Sequence, residues 1–169
     1  MELISSVNPG GVNSVTFSSI PQTGADLILM VTGRSGDSTT SPFYVEFNGV
    51  TTGYTYLTFK TTGSTEQSSS GTTGYIGNLV PSTYTIGTFC NTQTLIPAYT
   101  GSLGKTWSSD SVQENNATAS DVLSIAGNST LTAAITSLRV FAGGTTVFHS
   151  ATIISLYMVT AGTGGATIS

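Results

Sequence analysis

Hydrophobicity in this sequence repeats every two residues, and that period limits the chain to pleated structure. In "PFYVEFN", Phe43, Val45 and Phe47 alternate with Tyr44, Glu46 and Asn48. In "YTYLTFK", Thr55, Leu57 and Phe59 oppose Tyr54, Tyr56, Thr58 and Lys60. A helix would group apolar residues every three to four positions, whereas alternation places them on one face of a strand. Asn48-Gly49 separates the two runs and tolerates positive φ at both positions, so a β-hairpin is expected there.

The same reasoning predicts strands over Val12–Phe17, Leu27–Thr32, Gly74–Asn78, Tyr84–Cys90, Thr92–Ala98, Lys105–Val112, Asp121–Ala126, Ile135–Phe141 and Ala151–Thr160. No segment reads as a convincing helix. "NSTLTAAITSL" comes nearest, but its Thr and Ser content disfavours more than a turn. Gly-, Ser- and Thr-rich connections lie between the runs, the longest being Thr61–Gly74, read as an intradomain loop. Many short strands with turn signals between them predict an all-β, single-domain antiparallel β-sandwich, jelly-roll-like in type. Residues 1–11 form an N-terminal arm or first strand, 12–160 the sandwich, and 161–169 a Gly-rich tail.

Two runs break the alternation. Leu27, Leu29 and Val31 point one way while Ile28 and Met30 point the other. Near the end, Ile154, Leu156 and Met158 oppose Ile153, Tyr157 and Val159. An antiparallel sandwich needs only one buried face per strand. A second apolar face requires cover, either from a loop of the same chain, such as that beginning at Thr61, or from another subunit. Composition bears on the choice. Only 7% of residues are charged, with four Lys and Arg against eight Asp and Glu, and charge is depleted at interface cores. Ile28, Met30, Ile153 and Tyr157 are therefore the candidate self-association face.

Composition also excludes function classes. Four scattered cations on a chain of net charge −4 cannot neutralise a phosphate backbone, so no nucleic-acid partner is expected. No apolar run approaches the length of a membrane helix. "MELISSVNPG" has no basic n-region or apolar h-region, so no signal peptide is expected. The single cysteine, Cys90, rules out an internal disulfide and is in keeping with synthesis in a reducing cytoplasm.

Chemistry has few footholds. His149 is the one histidine, and no Gly-x-Ser-x-Gly nucleophile elbow accompanies it. One His and one Cys cannot assemble a zinc site. Asp110, Glu114 and Asp121 are the nearest acids for a carboxylate pair, and Asp110 and Glu114 with the Asn115-Asn116 carbonyls are the nearest hard-oxygen set for calcium. Neither follows a recognisable pattern, so no catalytic residue, metal or cofactor is assigned. Asn116-Ala117-Thr118 and Asn128-Ser129-Thr130 match glycosylation sequons, which a Ser/Thr-rich chain produces by chance. Trp107, Tyr54, Tyr56 and Tyr99 are candidates for stacking on a sugar.

Several segments carry a resemblance: "VTFSSIPQTGADLILMVTGRS", "FNGVTTGYTY", "IPAYTGSLGKTWSSDSVQENNATA" and "AAITSLRVFAGGTTVFHSATIISLY". Their recurring elements are Phe17, Ile20-Pro21, Asp26-Leu27, Phe47-Asn48-Gly49, Ile96-Pro97 with Tyr99, Glu114 to Ala119, and Phe148 to Tyr157. Over most of its length after about Val12 the chain resembles small virion structural proteins of tailed bacteriophages. That resemblance implies a β-sandwich component of a head or fibre, made in the host cytoplasm, with no catalytic residues. The reading carried forward is a capsid decoration (cement) protein on the outer head surface. It would be a homotrimer contacting the major capsid protein, with Leu3, Ile4 and Val7 as a shell-contacting arm. The alternative is a receptor- or carbohydrate-binding module of a head or tail fibre.

Overall fold

Alternation resolves into twelve antiparallel strands in a computed structural model that describes residues 1–116, 118–160 and 162, with only the backbone at 118 and 119. They are β1 (Glu2–Val7), β2 (Ser14–Phe17), β3 (Asp26–Gly33), β4 (Ser41–Phe47), β5 (Tyr54–Thr62) and β6 (Thr65–Gly71). There follow β7 (Tyr75–Leu79), β8 (Cys90–Ile96), β9 (Lys105–Asn115), β10 (Thr118–Ser129), β11 (Leu138–Ala142) and β12 (Ile153–Val159). The described residues contain no helix. The expected tail lies, apart from Gly162, outside the described residues.

The strands form an eight-stranded sheet, ordered β1-β12-β3-β8-β9-β10-β5-β6, and a four-stranded sheet, β2-β11-β4-β7. Without the β5–β6 and β9–β10 hairpins, each sheet has four strands, β1-β12-β3-β8 facing β2-β11-β4-β7. That is the order of a jelly roll. The two hairpins are insertions that pair with each other through β5 and β10 and double the width of one sheet.

Between the sheets lies one main core, in which Leu27, Leu29, Val31, Ile154 and Leu156 of the large sheet meet Phe43, Val45, Phe47, Leu138 and Val140 of the small one. A smaller cluster of Tyr75, Leu123 and Ile125 sits under the inserted strands. Where β8 and β9 pass over the core, hydroxyls replace hydrocarbon. Thr92 pairs with Ser111 and Thr94 with Ser109, each at 2.7 Å, and each buried oxygen is satisfied by its neighbour.

The hairpin expected at Asn48-Gly49 is not formed. Asn48 and Gly49 do adopt φ of 53° and 72°, and Val50 N–H closes the turn onto Phe47 O at 3.0 Å. The strands on either side then enter different sheets, β4 pairing with β11 and β7, and β5 with β10 and β6. Long-range bonds hold this crossing. The Asn48 carboxamide donates to Ala134 O and accepts from the Thr136 and Ser137 N–H groups. The Tyr54 hydroxyl accepts from Phe47 N–H at 2.7 Å and donates to Val50 O at 3.0 Å.

Three other expectations are corrected. Thr61–Gly74 is mostly strand: Gly63-Ser64 forms a two-residue turn, with Gly63 at φ 60°, and β6 pairs along β5 from Thr65 to Gly71. Serines are poor strand formers alone, but β5 supplies a template. Conversely, Tyr84 to Phe89 is loop, because Arg34 binds its carbonyls in place of a neighbouring strand. Ile135 is buried without being in a strand, which begins only at Leu138. Residues 1–11 begin with an edge strand, β1, paired to β12 with a bulge between Leu3 and Ser5.

Candidate interaction surface

Register decides which side chains share the large sheet's outer face. One row across the strands reads Leu3, Tyr157, Ile28, Leu95, Ser108, Ala126, Leu57 and Ser70. The next carries Ser6, Ser155, Met30, Gln93, Asp110, Ser124, Phe59 and Ser68, and a third carries Ile153, Thr32, Asn91, Val112, Val122, Thr61 and Glu66. The structure thus brings Ile28, Met30, Ile153 and Tyr157 onto one face and adds apolar residues from the inserted hairpins. Among them Ile153 is 49% exposed, Phe59 48% and Leu57 67%. The hairpin residues gave little sign in the sequence, because Leu57 and Phe59 alternate with polar residues and look like the inward set of a half-buried strand. They face outward because Tyr54 and Tyr56 take the inner positions.

No loop among the described residues lies across this face. The Thr61–Gly74 segment, one expected source of cover, extends the sheet sideways as β6. Rows of eight, eight and seven positions, with strands about 4.8 Å and rows about 6.8 Å apart, give a face of about 750 Å². Two shallow depressions mark it, one of about 490 Å³ beside Leu57, Ala126 and Asn128, and one of about 350 Å³ among Met30, Gln93, Val112 and Val122.

The face carries no cation, and the reason lies inside the fold. All four Lys and Arg residues are engaged elsewhere. Lys60 pairs with Asp121 at 2.9 Å on the inner side of the sheet, and Arg139 pairs with Glu46 at 2.9 Å on the small sheet. Lys105 is buried, its ammonium donating to Gly101 O and Leu103 O, and burial pulls its pKa below the ordinary lysine value. Arg34 is buried and donates five hydrogen bonds to oxygens of Ser82, Tyr84, Thr85 and Thr88. Exposed lysine is a common device against unwanted sheet contacts, and it is missing here.

The residues considered for chemistry do not converge. Asp121 faces inward, bonded to Lys60 and Thr62, while Asp110 sits in the middle row of the outer face. Asp110 and Glu114 are four residues apart on one strand, about 13 Å by strand rise, beyond the 5–9.5 Å separation of glycosidase carboxylate pairs. No three His, Cys, Asp or Glu side chains gather in metal-binding range among the described residues. His149 holds a turn, its Nδ1 accepting from Ala151 N–H at 3.1 Å.

Cys90 is fully buried at the start of β8, and burial pushes its thiol pKa up to about 12. At pH 8 roughly one molecule in ten thousand then carries a thiolate. Folded protein is expected to resist iodoacetamide at pH 8 for hours and to label within minutes in denaturant, as mass spectrometry would show. Rapid labelling of the folded protein would contradict this burial.

The aromatics proposed for sugar stacking also lie elsewhere than expected. Trp107, Tyr54 and Tyr99 are buried, and Tyr56 is half-buried against Tyr75. The Trp107 and Tyr99 rings are part of the core between the sheets. In β1, Ile4 and Val7 pack against the core while Leu3 faces outward beside Tyr157. Of the three candidate shell-contact residues, Leu3 is the exposed one.

No protein-family profile, curated protein or solved structure matches this chain.

Proposed function

We propose that this chain is a structural protein of a tailed-phage particle, acting as a decoration protein on the outer head as a homotrimer. The cation-free outer face of the eight-stranded sheet, on which exposed Leu, Ile, Val, Met and Phe side chains are interspersed with Ser, Thr, Asn and Gln, carries this reading. At about 750 Å² it approaches the roughly 800 Å² each partner contributes to a standard interface. Contact through this face would bury the Ile28, Met30, Ile153 and Tyr157 end against other copies. The phage assignment itself rests on the sequence resemblance. Each copy would hold the shell weakly, and linkage within a trimer would multiply those contacts. Binding only assembled shell would stabilise it by mass action. The mechanism needs no reacting group. The fibre-module alternative loses its expected stacking platform, since Trp107, Tyr54 and Tyr99 are buried.

Two measurements test the proposal. In purified virions, quantitative mass spectrometry is expected to find this protein at hundreds of copies per particle; a few copies, or none, would overturn the decoration reading. In solution, the double substitution Met30→Glu, Ile153→Lys is expected to abolish trimer formation. Both positions are exposed, so unfolding free energy should change by less than about 1 kcal/mol. A protein that is monomeric before substitution, or whose assembly is untouched by it, removes the outer face from the proposal.

A further inference from the structure

Four strands bound the two sheets, and three of those edges are blunted. β1 carries a bulge, β2 has only four residues, and β7 pairs to β4 through a break in register. The fourth, β6, runs seven residues from Thr65 to Gly71 in unbroken register with β5. It contains no proline, lysine or bulge, the usual guards of an open edge. Every residue from Thr65 to Ser70 is exposed.

Geometry determines which backbone groups are open. Across the two-residue Gly63-Ser64 turn, Thr62 and Thr65 form the hydrogen-bonded pair closing the hairpin. Antiparallel pairing alternates from there. It leaves the N–H and C=O groups of Glu66, Ser68 and Ser70 turned away from β5.

Set antiparallel to itself about Ser68, the strand is self-complementary. Ser68 meets Ser68, Glu66 meets Ser70, and Gln67 meets Ser69. The single charge on the edge lies opposite a serine, so no like charges oppose each other. The small serines also leave nothing bulky on either face to hinder a second strand. We infer that β6 pairs edge to edge with β6 of a second copy, joining two eight-stranded sheets through a two-fold axis at Ser68. The outer sheet face then continues across the paired Ser68 and Ser70 positions to the Leu57 and Phe59 of the next copy. Such an isologous contact closes on itself and is separate from contact through the sheet face, so it does not rest on the phage reading. In a trimer built through the face, it would link neighbouring trimers.

Cysteine crosslinking and a proline substitution test this in the full chain. Ser68→Cys is expected to give a disulfide-linked dimer under mild oxidation, because only at this position does a residue meet its own copy. Gln67→Cys, which faces Ser69 across the axis, should crosslink at least about tenfold more slowly. Native Cys90 is buried and provides no competing thiol. Ser68→Pro removes an N–H that points to the open edge and leaves the β5 ladder intact. It should weaken the two-fold association at least about tenfold without lowering the melting temperature. The inference is overturned if Ser68→Cys stays monomeric on oxidation, if both cysteine variants link equally, or if Ser68→Pro associates like the parent. Met30→Glu distinguishes the two contacts: it should disrupt face assembly and spare the Ser68→Cys crosslink.

Discussion

Trp107→Ala is expected to lower the unfolding free energy by about 3–5 kcal/mol, a fall in melting temperature of about 10 °C or more. Trp107 is where the inserted strands meet the jelly roll. Its indole lies edge-on to Phe47 of the small sheet at 6.0 Å and tilted against Tyr54 at 6.1 Å. Its Nε1 donates to Tyr75 O at 3.1 Å, across the sandwich. Truncation leaves a cavity between the sheets and strands a buried carbonyl.

Gly127 sharpens this prediction. A Cβ built on it would stand 2.1 Å from the indole, so Gly127→Ala alone should cost about 1–3 kcal/mol by overpacking. In the Trp107→Ala background the added methyl has room, and the second substitution should be nearly neutral or favourable. Differential scanning calorimetry on the four proteins would measure the coupling. Simple additivity would show that the two residues do not share this space. Trp107 is the sole tryptophan, so intrinsic fluorescence cannot report on its own removal.

The second large effect is expected at Arg34. Its guanidinium is buried and has no ion-pair partner among the described residues, being held by neutral oxygens at 2.7–3.0 Å. Arginine stays charged at any ordinary pH, so those five bonds compensate its desolvation. They also replace the strand pairing that the Ser82–Thr88 loop lacks. Arg34→Met should cost about 3 kcal/mol, less than the gross value of the bonds because the loop can turn its carbonyls to water. The loss should concentrate in the loop: hydrogen exchange over residues 82–89 should accelerate far more than in β3 or β12. Arg34→Lys should restore little, since one ammonium cannot span four residues' oxygens arranged around a planar fork. A lysine variant with parental stability and protection would show that charge alone, and not the fork, holds the loop.

These two sites show how unevenly the fold can be read from the chain. Alternation located β4 and β5, because the side-chain period is a property of each strand alone, and short apolar runs located β3 and β12. The doubly apolar runs at Ile28–Met30 and Ile153–Tyr157 likewise pointed to a second face that the structure leaves exposed. The candidate surface was therefore legible where both faces of one strand are greasy. Leu57 and Phe59 were not: alternation states that two sets of side chains differ in side, never which set turns inward.

From the sequence alone came the β class, the scarcity of cations and the positive-φ turn at Asn48-Gly49, all consequences of residue type and short-range sterics. Only the tertiary structure decided that this turn crosses between sheets, that serine-rich β6 is a strand, and that Tyr84–Phe89 is not. Those outcomes depend on which other part of the chain supplies hydrogen bonds: β11 for β4, the adjacent β5 for β6, and the Arg34 guanidinium for the loop. Pairing energy belongs to two segments at once, whether neighbours such as β5 and β6 or strands far apart such as β4 and β11, so the composition of one segment does not record it.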